Sequence, residues 1–147
     1  MLKIHIAEDH DLCRLALKLM LLTVKQYEIV GESKSGLNLA QEILRSQPDI
    51  AIVDLSLPGK DGFQVFQELK KLGSKIKVLI YSAHSDFETV SQAISLGIDG
   101  YLNKGASSEV LQAALSAIMN GQQWIGPQTD LSMPAISVCA APRSCVV

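Results

Sequence analysis

The hydrophobic positions of this chain alternate between short unbroken runs and spaced repeats. Ile4-His5-Ile6-Ala7, Tyr27 to Val30, Ile50-Ala51-Ile52-Val53, Ile76 to Tyr81 and Ile98 to Leu102 are the runs. Rich in β-branched and aliphatic residues, they read as buried strands of a parallel sheet. Between them apolar residues recur at helical spacing. Leu12, Leu15, Ala16, Leu19 and Met20 fall on one face of a helix that Asp11 caps. Gly36 precedes a helical pattern of Leu37, Ala40, Ile43 and Leu44, and Pro48 ends it. Phe63, Phe66, Leu69 and Leu72 form a third pattern after the turn Pro58-Gly59-Lys60-Asp61-Gly62. Ser85-Asp86-Phe87-Glu88 has the form of a capping box before Val90, Ala93, Ile94 and Leu96, and Gly97 closes that helix. Ser107 opens the last helix, with Leu111, Ala114, Leu115, Ile118 and Met119, and Gly121 ends it. Met20 and Met119 fit core faces. Five strands alternating with five helices predict a parallel sheet covered on both faces and joined by right-handed crossovers.

This pattern predicts one domain over residues 1–122. Trp124, within Gly121-Gln122-Gln123-Trp124-Ile125-Gly126-Pro127, is expected to anchor the following segment on that domain. Residues 128–147 carry two charges, Asp130 and Arg143, and no sustained periodicity, so 123–147 reads as a linker-like tail, flexible or loosely packed.

Composition narrows the functional classes. The chain has 147 residues, 48% of them apolar, enough for one full core. A formal charge of −2 gives no global attraction to nucleic acid or anionic lipid. Cys13, Cys139 and Cys145 are an odd set without metal-ligand spacing, so reduced thiols are expected. Met1-Leu2-Lys3-Ile4-His5 lacks the apolar core of a signal peptide. No stretch approaches the roughly 20 apolar residues of a spanning helix. The expectation is a soluble, cytoplasmic protein with no membrane partner.

Three of the strand runs stop at side chains suited to a phosphoryl site. The first stops at Glu8-Asp9, the third at Asp54, and the fifth runs through Asn103 into Lys104. Ligands of open parallel sheets sit outside the carboxyl ends of the strands, where separated polar groups converge. Asp54 is the pivot, because a carboxylate can attack a phosphoryl donor and form an acyl phosphate. A lone aspartate after a strand is more often a cap. Glu8 and Asp9 reverse that weighting, since three acids gathered without a cation repel one another. Mg²⁺ takes carboxylates, waters and phosphate oxygens, and so fits the cluster. Lys104 can give a cation to one phosphoryl oxygen, and Ser82, at the end of the fourth run, a hydroxyl to another.

Glu8-Asp9, the stretch from Asp54 to Gly62, Ser82-Ala83 and Asn103-Lys104-Gly105 closely resemble a response-regulator receiver domain of two-component signalling, over residues 1 to about 122. The resemblance implies a flavodoxin-like (βα)5 fold with strand order 2-1-3-4-5. It implies that Asp54 accepts a phosphoryl group from a sensor histidine kinase or phosphotransfer protein. By the same resemblance Asp9 binds Mg²⁺ directly, Glu8 acts through water, Asp54 gives a carboxylate oxygen and Ser56 its backbone carbonyl. Ser82 and Tyr101 would be the switch pair, with Tyr101 turning inward behind Ser82. The output surface would be the fourth helix, fifth strand and fifth helix, and a homodimer would form there. Such a chain is a signalling switch rather than an enzyme, though it promotes its own phosphorylation and dephosphorylation at Asp54. His84, two residues after Ser82, is either a flank of the phosphoryl site or a loop histidine.

His10 and Arg14 resemble the NarL/LuxR subgroup, whose members usually continue into a helix-turn-helix DNA-binding domain. The nearly uncharged tail lacks the clustered Lys and Arg of a phosphate-binding footprint, so this chain is expected to lack that domain and to bind no nucleic acid. It would be a stand-alone receiver or the truncated receiver half of a DNA-binding transcriptional regulator. A phosphorylation-independent interaction module is a third reading, which loss of Asp54, Lys104 or the acidic pair would signal; all are present. A phosphohydrolase would want an aspartate where Ser56 stands.

Overall fold

The structure, a computed structural model, describes residues 1–84 and 86–126. Ser85 as part of a cap, Cys139, Cys145 and the tail from residue 128 lie outside the described residues. Along the chain the elements are β1 (Leu2–Ala7), α1 (Asp11–Leu22), β2 (Tyr27–Ser33), α2 (Leu39–Ser46), β3 (Ile50–Asp54) and α3 (Gly62–Lys71). They continue as β4 (Lys77–Ser82), α4 (Phe87–Leu96), β5 (Gly100–Asn103), α5 (Ser108–Met119) and β6 (Trp124–Ile125). The strands follow the order β2-β1-β3-β4-β5-β6. The expected 2-1-3-4-5 order is thus found, with one addition. β6 is a sixth strand of two residues, parallel to β5, tied by Trp124 N–H to the Asp99 carbonyl at 3.1 Å. Trp124 therefore anchors its segment by its backbone, at the sheet edge.

The chain divides into two compact units, Met1–Val78 and the part beginning at Leu79. In the first, β1 pairs in parallel with both β2 and β3, and α1 and α2 pack on β2. All five residues of β3 are buried, as a parallel strand covered on both faces requires. In the second, β4 pairs with β5, and α5 packs on β5 and β6. Its core draws on Val90 and Ala93 of α4 and Leu111, Ala114, Leu115 and Ile118 of α5.

Helix ends follow local chemistry. Asp61 caps α3 in a capping box, taking the Gln64 N–H while the Gln64 side chain takes the Asp61 N–H, both at 2.9 Å. Asp86 caps α4 by accepting from Thr89 N–H at 3.0 Å. Ser107 caps α5 as expected. α1 departs from expectation twice. Its cap is His10, whose Nδ1 accepts from Cys13 N–H, and Asp11 is the first helical residue. Its buried leucines are Leu17 and Leu21, whereas Leu12, Leu15, Ala16 and Leu19 are exposed. Leu37 precedes α2 and is exposed, Leu72 is exposed, and Met119 lies largely outside the core.

Candidate functional site

The parallel register of β1 and β3 sets Ala7 beside Val53, so Glu8 and Asp54 leave the sheet side by side. Glu8, Asp9 and Asp54 each offer a carboxylate oxygen, and these atoms lie within 4.8 Å of one another. Glu8 and Asp54 are buried, at 1% and 5% exposure, while Asp9 is open to solvent. One Glu8 oxygen accepts the His10 N–H at 3.0 Å, which turns that carboxylate toward the start of α1. The Glu8 backbone is fixed at both ends, its N–H on the Ser33 carbonyl and its own carbonyl on Arg14 Nη1, each at 3.0 Å. Arg14 is itself spread over Asp11 at 2.7 Å and Glu32 at 3.5 Å. Its charge is thus committed beside the acid cluster rather than inside it. Hard oxygen donors, mutually repelling and partly withdrawn from water, suit a hard divalent cation.

The loop after Asp54 is held from two sides. Ser56 N–H donates to Asp54 Oδ1 at 3.2 Å, and Gly62 N–H to the Leu55 carbonyl at 2.9 Å. From the loop before α2, Gly36 N–H donates to the Pro58 carbonyl at 2.9 Å. A Cβ on Gly36 would stand 1.9 Å from the Lys60 carbonyl oxygen, so only glycine lets the two loops approach this closely. Lys60 in turn bridges to Glu68 at 2.8 Å.

The other expected residues lie together in the second unit. Ser82 and Asn103 are register partners at the ends of β4 and β5, and Lys104 N–H donates to the Ser82 carbonyl at 2.8 Å. The Ser82 hydroxyl oxygen accepts the His84 N–H at 2.9 Å. Tyr101 is 1% exposed, and its hydroxyl donates to the His84 carbonyl. Burial pushes the Tyr101 phenol up, against the opposing pull of the Ser82 hydroxyl. The Asn103 side chain accepts from Gly105 N–H at 2.7 Å, shaping the turn that carries Lys104. His84 is exposed, and its backbone joins Ser82 to Tyr101.

A buried polar chain escaped the sequence reading. His5 Nε2 meets Ser33 Oγ and Nδ1 meets Ser46 Oγ, both at 2.8 Å, and Ser33 donates to Glu42. A β-bulge at Ile4/His5 sets the imidazole over Gly31, where a Cβ would stand 2.5 Å from Nδ1. A histidine amid Ile4 and Ile6 was the available signal. Its partners come from β2 and α2 and leave no local trace.

A family model described as the response regulator receiver domain matches residues 4–116. The transcriptional regulatory protein DesR of Bacillus subtilis is 35% identical over 128 residues, covering 87% of this chain and 63% of that protein. Response regulator GacA of Pseudomonas aeruginosa is 30% identical over 131 residues, covering 87% and 60%. This chain thus spans about three fifths of the length of these relatives. The solved signal receiver domain of the response regulator NarL from Mycobacterium tuberculosis aligns with a TM-score of 0.74 at 30% identity, over 80% of this chain and 95% of that one. Among the described residues no helix is long and apolar enough to cross a membrane.

Proposed function

We propose that this chain, which belongs to the response regulator receiver family, takes a phosphoryl group onto Asp54 and answers by changing the surface it offers to other proteins. Its role is in signalling. The observation that carries the reading is the buried Asp54 carboxylate at the end of β3, gathered with Glu8 and Asp9 within 4.8 Å. In the transfer an Asp54 oxygen bonds to phosphorus as the donor's bond to phosphorus breaks, giving an acyl phosphate. A phosphohistidine of a sensor kinase or phosphotransfer protein is the donor that family membership implies.

The acid cluster of Glu8, Asp9 and Asp54 fits Mg²⁺; Asp9 and Asp54 would hold it directly, Glu8 would act through water and Ser56 would offer its backbone carbonyl. When bound, the ion offsets negative charge on the moving group. Lys104 gives its ammonium to one phosphoryl oxygen and Ser82 its hydroxyl to another. The bonds from Ser82 to His84 and from Tyr101 to the His84 carbonyl support the switch reading. A hydroxyl drawn to the phosphoryl group releases the His84 N–H and biases the packing around Tyr101, a shift between two populations on α4, β5 and α5.

The test is intact-mass analysis after incubation with acetyl phosphate and Mg²⁺. One added phosphoryl group on the wild-type chain and none on Asp54→Asn is expected. An unlabelled wild type, or a labelled Asp54→Asn, overturns the reading.

A further inference from the structure

β4 and β5 each carry a tyrosine whose hydroxyl reaches the loop that follows the other strand. Tyr101 of β5 donates to the His84 carbonyl, in the loop after β4. Tyr81 of β4 donates to the Lys104 carbonyl, in the turn after β5, at 3.3 Å. Together they cross-brace the strand ends, where Tyr81 is the register partner of Leu102 and Ser82 of Asn103. The switch described above uses Tyr101 and leaves Tyr81, the other half of the brace, without a part. At 7% exposure Tyr81 lies in a strand whose neighbours Leu79 and Ile80 are wholly buried. Phenylalanine would meet the packing there equally well, and a buried phenol needs a partner for its hydroxyl. That partner is the backbone of Lys104.

Consecutive residues of β4 thus grip Lys104 at both ends of its backbone. Its N–H donates to the Ser82 carbonyl at 2.8 Å, and its carbonyl accepts from Tyr81. Within the turn, Gly105 N–H meets the Asn103 side chain at 2.7 Å and Ala106 N–H the Asn103 carbonyl at 3.0 Å. Those two bonds shape the turn, and the two from β4 fix its direction relative to the sheet. A lysine side chain is a lever of about 6 Å, so turning its root by about 10° moves the ammonium by about 1 Å, a shift that can cost a positioned group about a hundredfold in rate. We propose, resting on the phosphoryl role given above to Lys104, that Tyr81 is a positioning residue for the transfer. Its hydroxyl holds the Lys104 carbonyl and so sets the direction from which the ammonium meets the phosphoryl group. Rotation within the lysine side chain recovers part of a lost alignment, so the hydroxyl is worth about threefold to tenfold in rate, the range of one neutral hydrogen bond.

Tyr81→Phe in the full chain tests this, because it removes the hydroxyl and keeps the ring. With acetyl phosphate and Mg²⁺, and the added mass followed in time, the variant should be phosphorylated about threefold to tenfold more slowly than the wild type. Its Mg²⁺ affinity by calorimetry should be unchanged, since the Tyr81 hydroxyl bonds to Lys104 and to no member of the acid cluster. Amide hydrogen exchange should quicken in the peptide spanning residues 103–106 and stay at the wild-type rate in peptides holding Glu8 and Asp54. Equal labelling rates, or unchanged exchange at 103–106, overturn the role of Tyr81. A loss of Mg²⁺ affinity, or faster exchange around Asp54, also overturns it, since the hydroxyl would then support the fold at large. A wild type that takes no phosphoryl group overturns the function proposed for Asp54 and the role of Tyr81 with it, whereas a labelled wild type matched by an equally fast variant overturns the role of Tyr81 alone.

Discussion

His5 shares its two ring nitrogens between Ser33 and Ser46, and the direction of those bonds decides how it answers to pH. Ser33 donates to Glu42, which leaves its oxygen to accept the Nε2 proton, while the unprotonated Nδ1 faces Ser46, whose single hydroxyl proton is divided between Nδ1 and the Ile43 carbonyl at 3.2 Å. Burial holds the imidazole below its ordinary 6.5, against the opposing pull of Glu42 and Glu32. The unfolded chain therefore takes up this proton first as pH falls. The stability from neutral His5 is present above about pH 6.5 and is lost as pH drops toward the lowered folded value. Melting temperatures should fall over that range in the wild type, and the slope should flatten in His5→Gln; an unchanged slope would assign the dependence elsewhere. At the acid cluster, Asp9→Ala should weaken Mg²⁺ binding by at least tenfold by calorimetry, with unchanged affinity removing Asp9 from the ligand set. The acid trio was legible in the sequence because Glu8-Asp9 and Asp54 each come at the end of an apolar run and parallel register keeps strand ends together. The His5 chain was not, since its bonds span 28 and 41 residues.

At the scale of elements, caps were more legible than faces. A cap is a local event, and the Asp61 box with Gln64 can be read from four consecutive residues. Asp61→Ala should cost about 0.5–2 kcal/mol in denaturant unfolding, and a change near zero would show that the tertiary contacts of α3 dominate its start. The buried face of α1 was misread because apolar residues occur on more than one side of that helix, and spacing alone cannot say which side meets β2. Leu17→Ala or Leu21→Ala should cost about 2–5 kcal/mol, whereas Leu12→Ala should stay within about 0.5 kcal/mol. Equal losses at Leu12 and Leu17 would contradict the burial found here. β6 escaped notice because two residues carry no period.

On the scale of the whole molecule, alternation of runs and spaced repeats was enough to announce a parallel sheet with right-handed crossovers, whereas the strand order followed from the resemblance to receiver domains. The site at its rim works against the fold that holds it. Three carboxylates within 4.8 Å cost folding energy without a cation, so Asp54→Asn should raise the melting temperature of the metal-free protein. Mg²⁺ should then raise the wild type more than the variant; equal shifts would separate the metal from this cluster. The central claim is that Asp54 becomes an acyl phosphate, and its chemistry offers a direct test. Borohydride reduces an acyl phosphate on aspartate to homoserine, which tandem mass spectrometry locates within a peptide. After phosphorylation with acetyl phosphate and Mg²⁺, homoserine is predicted at position 54 and at no other aspartate. An intact aspartate there, or homoserine at a different position, would contradict it.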